Sequence, residues 1–323
     1  MSEFQPLFDQ LYDAIKAHQT IVIIPHARPD GDCLGSAIGL RDILRTSFPD
    51  KAVYATGEET GYLKFLGSLD TIEDEVFKDA LVIAVDTANQ ERLADTRHTL
   101  GKMLVKIDHH INIDSYGDIE IVNTNAPAAA QIIMNFYQSH EEQLTMTETG
   151  ALALFTGILT DTGRFKYDGV TGETFLAVAK LYDLGLDTKP VYDALEVMSE
   201  ELIRFKGYVL LNYQKTDHGV AFIKITEDLC KEYHVTTEEA SSLVNELSRF
   251  EDSPIWVLFN EYEEQIVRAR IRSKGPNISL TANQFNGGGH AKASGANLGT
   301  WDVAEELLKA LDDVARTYKA DQK

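Results

Sequence analysis

The sequence predicts an α/β protein in two parts: an N-terminal, mostly parallel sheet with helices on both faces, and a smaller C-terminal α/β domain. Three observations predict it. Short runs of branched apolar residues alternate with helical stretches through the first half, metal-type polar residues follow those runs, and the texture changes to alternating strands beyond about residue 210.

Taken in order, "TIVIIPHARPDGDCLGSA" opens with a strand over Ile21 to Ile24, apolar at every position and so buried on both faces. A helix near Leu34 to Leu44 follows, which Asp30 or Asp32 can cap, with Gly31 as a turn residue. Strands are expected at Ala52 to Tyr54, Leu81 to Val85, Met103 to Ile107 and Ile119 to Val122. The stretch "APAAAQIIMNFYQ" reads as a helix, and Thr147 caps another that ends near Asp161. From residue 174 to 213 the chain looks helical, with breaks at Gly185 and Pro190. The second part begins with the strand "HGVAFIKI" and continues with a helical stretch from Thr237 to Leu247. It then forms a hairpin, "PIWVLFNEYEEQIVRARIRSK", whose polar centre is Asn260 to Glu264. The expected division is residues 1–188, a helical connection over 189–209, and residues 210–323.

Length and composition set bounds. The 323 residues suit two domains, and 44% hydrophobic with 25% charged residues is ordinary for a globular protein. The start "MSEFQPLFDQ" lacks a basic, apolar leader, and no run of about 18 apolar residues occurs, so a cytoplasmic protein without membrane attachment is expected. Cys33 and Cys230 form no ligand pair and should be reduced thiols. A formal charge of −21 argues against a broad nucleic-acid-coating surface, so an anionic substrate must meet a local basic patch.

Three further stretches repeat the opening pattern. "LVIAVDTA" sets Asp86 past a strand, "MLVKIDHH" sets Asp108, His109 and His110 past another, and "LFTGILTDTGRF" sets Asp161 at a helix end. The carboxyl ends of strands in an open sheet line one crevice, where these residues would converge with His26, Asp30 and Asp32. Each alone could be a turn or capping residue. As a set, the carboxylates would repel one another unless cations lay between them. Mixed Asp and His donors suit manganese, with zinc, cobalt or magnesium as alternatives. So many donors favour two ions, which at about 3.5–4 Å apart generate a hydroxide and clamp an in-line displacement at phosphorus.

In order, "HARPDGD", "VDTA", "DHH" and "TDTGRF" resemble the four motifs of the DHH phosphoesterase superfamily, and "GGGHAKASGA" resembles the signature of the DHHA1 domain. The likeness covers nearly the whole chain, and no motif residue departs from the pattern. The resemblance is to oligoribonucleases and pAp phosphatases, including phosphodiesterases that cut pApA in cyclic di-AMP breakdown. It implies that His26, Asp30 and Asp86 bind one manganese ion while Asp32, Asp86, His109 and Asp161 bind a second. Asp108 would orient its neighbours, His110 would act on the substrate phosphate or leaving oxygen, and the active site would lie in a cleft between the domains.

The second domain also reads directly. Arg268, Arg270, Arg272 and Lys274 alternate with Val267, Ala269, Ile271 and Ser273, so a strand would present four positive groups on one face. A solvated strand face is the plain alternative. Gly287, Gly288 and Gly289 let backbone N–H groups approach an anion, and His290 adds a donor, although such a run also suits a loop before a helix. With Ser273, these residues are expected to hold a nucleotide phosphate. The expected activity is hydrolysis of nanoRNA and dinucleotides such as pApA to 5′-monophosphates, and of pAp to AMP and phosphate. A pyrophosphatase or exopolyphosphatase of the same superfamily, and a nucleotide sensor without turnover, are the alternatives. Oligomeric state is left open, with a homodimer as one possibility.

Overall fold

Branched side chains favour extended backbone, and in the computed structural model, which describes residues 3–322, the run from Thr20 to Ile24 is a strand buried from Ile21 onward. The chain divides into two units between Val197 and Met198. In the first, the order is α1 (Gln5–Ala17), β1 (Thr20–Ile24), α2 (Gly31–Ser47), β2 (Ala52–Ala55), α3 (Asp74–Phe77), β3 (Leu81–Val85), β4 (Met103–Asp108), β5 (Ile119–Val122), α4 (Ala129–Ser139), α5 (Glu148–Asp161), α6 (Gly172–Asp183) and α7 (Lys189–Glu196). The five strands are all parallel, in the order β2-β1-β3-β4-β5. Alternate residues feed two apolar layers: Ile21, Ile23, Ile83 and Val85 face one, Val22, Ile24, Val82 and Ala84 the other. That is why the strands read as unbroken apolar runs.

Strand order carries a consequence. The chain leaves β1 toward β2 on one side and returns to β3 on the other, so the loops after β1 and β3 part company and leave a crevice at their carboxyl ends. His26 follows β1 and Asp86 follows β3.

The sequence reading took Gly31 as a turn residue; it is the first residue of α2. Its role is contact. Gly31, Gly35 and Gly39, one turn apart, lie against α5, and a Cβ at Gly35 would stand 2.8 Å from the backbone N of Gly157 and closer still to the carbonyl oxygen of Ala153. A Cβ at Gly157 would in turn meet Oδ1 of Asp32 at 2.8 Å. Close approach of α2 and α5 thus brings the first turn of one beside the last turn of the other.

Residues expected as a connection divide between the units. Pro190 starts α7 rather than breaking a helix, and Val191 packs in the first core. The next helix, α8 (Glu200–Asn212), packs Leu202, Phe205 and Val209 into the second unit. That unit continues with β6 (Gln214–Lys215), β7 (Val220–Ile225), α9 (Glu227–Glu232), α10 (Thr237–Ser242), β8 (Ile255–Tyr262), β9 (Ile266–Ser273), α11 (Ser279–Gln284), β10 (Gly287–His290), β11 (Ala293–Gly299) and α12 (Trp301–Asp321). Its sheet has the order β10-β11-β9-β8-β7-β6 and is antiparallel except for β7 and β8.

The hairpin is present, but its turn is later than expected, at Glu263–Gln265. Asn260 is a buried strand residue whose side-chain amide donates to Ser241 Oγ at 2.6 Å, so a polar residue here marks an internal hydrogen bond. Among the described residues, no helix is long and apolar enough to cross a membrane.

The α2–α5 contact predicts that Gly35→Ala destabilises the first unit by about 2 kcal/mol or more, because backbone atoms cannot move aside as a flexible side chain would. Urea denaturation of the variant should display a lower midpoint than the parent; an equal midpoint would contradict the contact.

Candidate metal centre

His26 is buried, and its backbone forms an isolated antiparallel bridge with Leu93. Its Nδ1 donates to the carbonyl of Ala27 at 3.0 Å, which fixes the tautomer and leaves Nε2 as the free lone pair. Nε2 lies 3.7 Å from Asp30 Oδ2 and 3.5 Å from Asp86 Oδ2. Asp30 is the N-cap of α2, and its Oδ1 accepts from Cys33 N at 3.1 Å. One oxygen caps the helix and the other faces His26, so the capping and ligand readings are compatible.

Asp86 has φ +52, a left-handed conformation uncommon for residues other than glycine. Its amide donates to Ile107 at 2.9 Å, tying the turn after β3 to β4. While Oδ2 faces His26, Oδ1 lies 3.4 Å from His109 Nε2 and 3.6 Å from His110 Nδ1. That Oδ1 is buried without a hydrogen-bond partner among the described residues.

Asp32, fully buried on α2, accepts from the amides of Ala129 at 2.6 Å and Ala130 at 2.9 Å. It therefore caps α4, whose own N-cap residue, Ala128, has no side chain to do so. His109 mirrors His26: Nδ1 donates to Ala126 at 3.3 Å, and Nε2 faces Asp161 Oδ2 at 3.3 Å and Asp32 Oδ2 at 3.9 Å. Asp161 ends α5. The helix contact described above is what delivers it here.

Donors that share an ion at about 2.0–2.2 Å stand about 3.0–3.5 Å from one another. The separations here run from 3.3 to 3.9 Å, at or just beyond that size and longer than the usual hydrogen bond. Three groups bring ligand atoms within 4.8 Å of each other: His26, Cys33 and Asp86; Asp86, His109 and His110; Asp32, His109 and Asp161. Asp86 belongs to two and His109 to two. Electrostatics agree with the crowding. Burial raises the Asp32 carboxyl well above its usual range, with Asp86 and Asp161 adding to it, and burial followed by Asp86 raises Asp161 to about 7. Burial opposes charge on His109, yet Asp86, Asp32 and Asp161 outweigh it and raise the imidazole to about 10. Burial opposes ionisation of Asp86, but the imidazoles of His109 and His26 outweigh it and hold that carboxyl below its usual range. The donor set and the orphaned Asp86 oxygen fit divalent cations.

Asp108 stands behind this cluster. Its Oδ1 accepts from His110 Nδ1 at 2.8 Å and from the amides of His109 and His110. The fully buried Lys106, on the same face of β4, places Nζ 3.8 Å from Asp108 Oδ2. Lys106 also donates to Ala88 O, Asn112 Oδ1 and Asp114 O, which staples the loop after β3 to the loop after β4. Sequence reasoning passed over Lys106 and Cys33. A lysine inside the apolar run "MLVKIDHH" was the available signal for the first, since an unpartnered charge has no place in a buried strand. The thiol of Cys33 is buried beneath His26, and burial pushes it up to about 12.

In the second unit, strand register decides what shares a face. Arg268, Arg270 and Arg272 pair across β8 with Asn260, Leu258 and Trp256, and across β11 with Asn297, Gly295 and Ala293. Gly288 extends the Arg270 row through Gly295, and His290 extends the Arg272 row through Ala293. Toward β7 and β8 this face is apolar and packed with α8 and α10; toward β10 it carries arginines and glycines. The expected glycine loop is thus an edge strand, β10. Four expected members stand apart. Gly287 and Gly289 fall on the opposite register, the buried Ser273 gives its hydroxyl to Pro276 O, and Lys274 lies past β9 with Nζ on Phe250 O.

Comparisons with known proteins agree with this architecture. Residues 20–158 match the model of the DHH family, N-terminal domain, and residues 219–317 match that of the DHHA1 domain. The chain is 37% identical to the bifunctional oligoribonuclease and PAP phosphatase NrnA of Bacillus subtilis, over 96% of this chain and 99% of the relative. It is 34% identical to the probable bifunctional oligoribonuclease and PAP phosphatase NrnA of Streptococcus mutans, with the same shares covered. A crystal structure of an exopolyphosphatase-related protein from Bacteroides fragilis superposes with a TM-score of 0.88 at 24% identity, over 98% of this chain and 100% of that one, which speaks to the fold alone. Fold and site together define a metal-dependent phosphoester hydrolase. The chain belongs to the DHH–DHHA1 phosphoesterase family, in its oligoribonuclease and pAp phosphatase branch.

Asp86→Asn keeps the left-handed backbone, which asparagine tolerates, while removing the charge that faces the three imidazoles of His26, His109 and His110. Wild-type protein should gain melting temperature on adding manganese, by about 2.7 kcal/mol of stabilisation at a hundredfold excess over Kd. The variant should lose most of that gain; an undiminished shift would contradict a ligand role for Asp86.

Proposed function

We propose that the chain is a manganese-dependent hydrolase of short oligoribonucleotides and linear dinucleotides, releasing nucleoside 5′-monophosphates, that also converts pAp to AMP and phosphate. The observation that carries the proposal is the division of Asp86, with one oxygen toward His26 and the other toward His109 and His110. In this reading His26, Asp30 and Asp86 hold one ion, and Asp32, Asp86, His109 and Asp161 hold a second. Two such ions supply an activated water at neutral pH and neutralise charge on the phosphoryl oxygens.

The chain's own residues do the rest. His110 gives its Nδ1 hydrogen to Asp108, which turns Nε2 to the substrate side, where a protonated ring would serve the leaving oxygen or hydrogen-bond the phosphate. Asp108 holds the ring at that angle, itself fixed by two backbone amides. On the second unit, Arg268, Arg270, Arg272 and His290 bind a nucleotide phosphate, and the absence of side chains at Gly288 and Gly295 leaves space beside Arg270. Relatives named as oligoribonuclease and PAP phosphatase support this substrate class over pyrophosphate or polyphosphate.

Purified protein with manganese should release AMP from pApA and from pAp, read by chromatography, and leave pyrophosphate largely intact; pyrophosphate as the best substrate by kcat/KM would overturn the assignment. His110→Ala should keep its bound ions and melting temperature while kcat falls by about 10²–10⁴-fold, the contribution of a general acid. A lost ion would make His110 a ligand instead. Arg272→Ala should raise KM for pApA more than it lowers kcat, because a contact remote from the reacting atoms supplies uniform binding. Collapse of kcat alone would move the arginine into the reaction centre.

A further inference from the structure

The first unit contains six arginines in a strongly acidic chain, and four of them are committed to acids. Arg41 and Arg45 bond Asp70, Arg97 bonds Asp95 and Asp74, and Arg164 lies by Glu196. The guanidinium groups of Arg28 and Arg92 have neither an ion pair nor a hydrogen bond among the described residues, and both residues are exposed. These two are neighbours in space. The amide of Ala27 donates to the carbonyl of Arg92 at 2.7 Å, beside the His26–Leu93 bridge. The uncommitted pair therefore borders the loop that carries His26 and Asp30.

Backbone geometry at Arg28 points the same way. Its φ is +57, left-handed and costly for an arginine, by about 1–3 kcal/mol. Surrounding bonds enforce it: its own amide donates to Glu58 Oε2 at 2.8 Å, and Ala94 N donates to Pro25 O at 3.0 Å. The Glu58 carboxylate takes the amide of Arg28, and no ion pair joins it to the guanidinium. In an acidic chain, an arginine held in a strained backbone without an ion pair keeps its charge available for an anion from outside.

We propose that Arg28 and Arg92 form an anion subsite on the metal-bearing unit that binds a phosphate monoester of the nucleotide, the one that is not cleaved. The inference rests on the nucleotide-hydrolase reading above. A terminal monoester has a charge of about −1.5 to −2 at neutral pH, against −1 for an internal diester. Two guanidinium groups match it in charge and in donor geometry. Cations in the metal centre would neutralise the scissile group, so on the metal-bearing unit the phosphate that is not cleaved meets positive charge only from other groups, as these two guanidinium groups supply.

The test compares pApA with ApA, which lacks the terminal phosphate, in Arg28→Gln, Arg92→Gln and the double variant. Glutamine keeps a side chain at each position, and Arg92→Gln leaves the strained backbone of Arg28 untouched. The ratio of kcat/KM for pApA over ApA should fall about tenfold in each single variant, the worth of one charge-assisted contact, and further in the double. A ratio within twofold of wild type in all three variants, or equal losses on both substrates, would overturn the subsite alone. Wild-type protein inert toward both dinucleotides would refute the nucleotide reading, and the subsite with it.

Discussion

Mutual repulsion of buried carboxylates is the constraint on which the first unit turns. Asp32, Asp86 and Asp108 are almost wholly removed from water, with Asp30 and Asp161 beside them, all at the carboxyl ends of parallel strands or at the helix ends packed against them. Such a set is tolerable only where each charge meets hydrogen bonds, an imidazole or a cation. Each of the three solutions is in use: amides of α4 on Asp32 and of the following turn on Asp108, imidazoles on Asp86, and the Lys106 ammonium beside Asp108.

Much of the rest of the unit serves to keep that arrangement rigid. The strand order opens a crevice between the ends of β1 and β3, glycine contacts let α2 and α5 approach closely enough to join Asp32 with Asp161, and Lys106 ties the loops after β3 and β4. Rigidity of this kind is what a site needs when its ligands come from four separate segments. The second unit reaches a different end with the same economy of means, since one sheet face is apolar under α8 and α10 and basic toward β10.

Legibility of these features in the sequence followed their range. Strand positions were readable because burial on both faces leaves an unbroken apolar signal, and Leu81–Val85 and Ile119–Val122 fall where expected. His26, Asp30, Asp32, Asp86, His109 and Asp161 were legible because each follows such a run. What escaped depends on partners far along the chain. The spacing of Gly31, Gly35 and Gly39 has meaning only against Gly157, and Lys106 only against Ala88 and Asp114. Asn260 looked like a turn because its partner Ser241 could not be seen, and Lys274 looked like part of the stripe because the end of β9 at Ser273 could not.

Equilibrium dialysis of chelator-stripped protein against manganese, with pApA turnover measured at each level of occupancy, tests the central claim most directly. The account predicts two ions per chain and hydrolysis that appears only as they bind. Full-rate hydrolysis by ion-free protein, or saturation without any bound manganese, would contradict it.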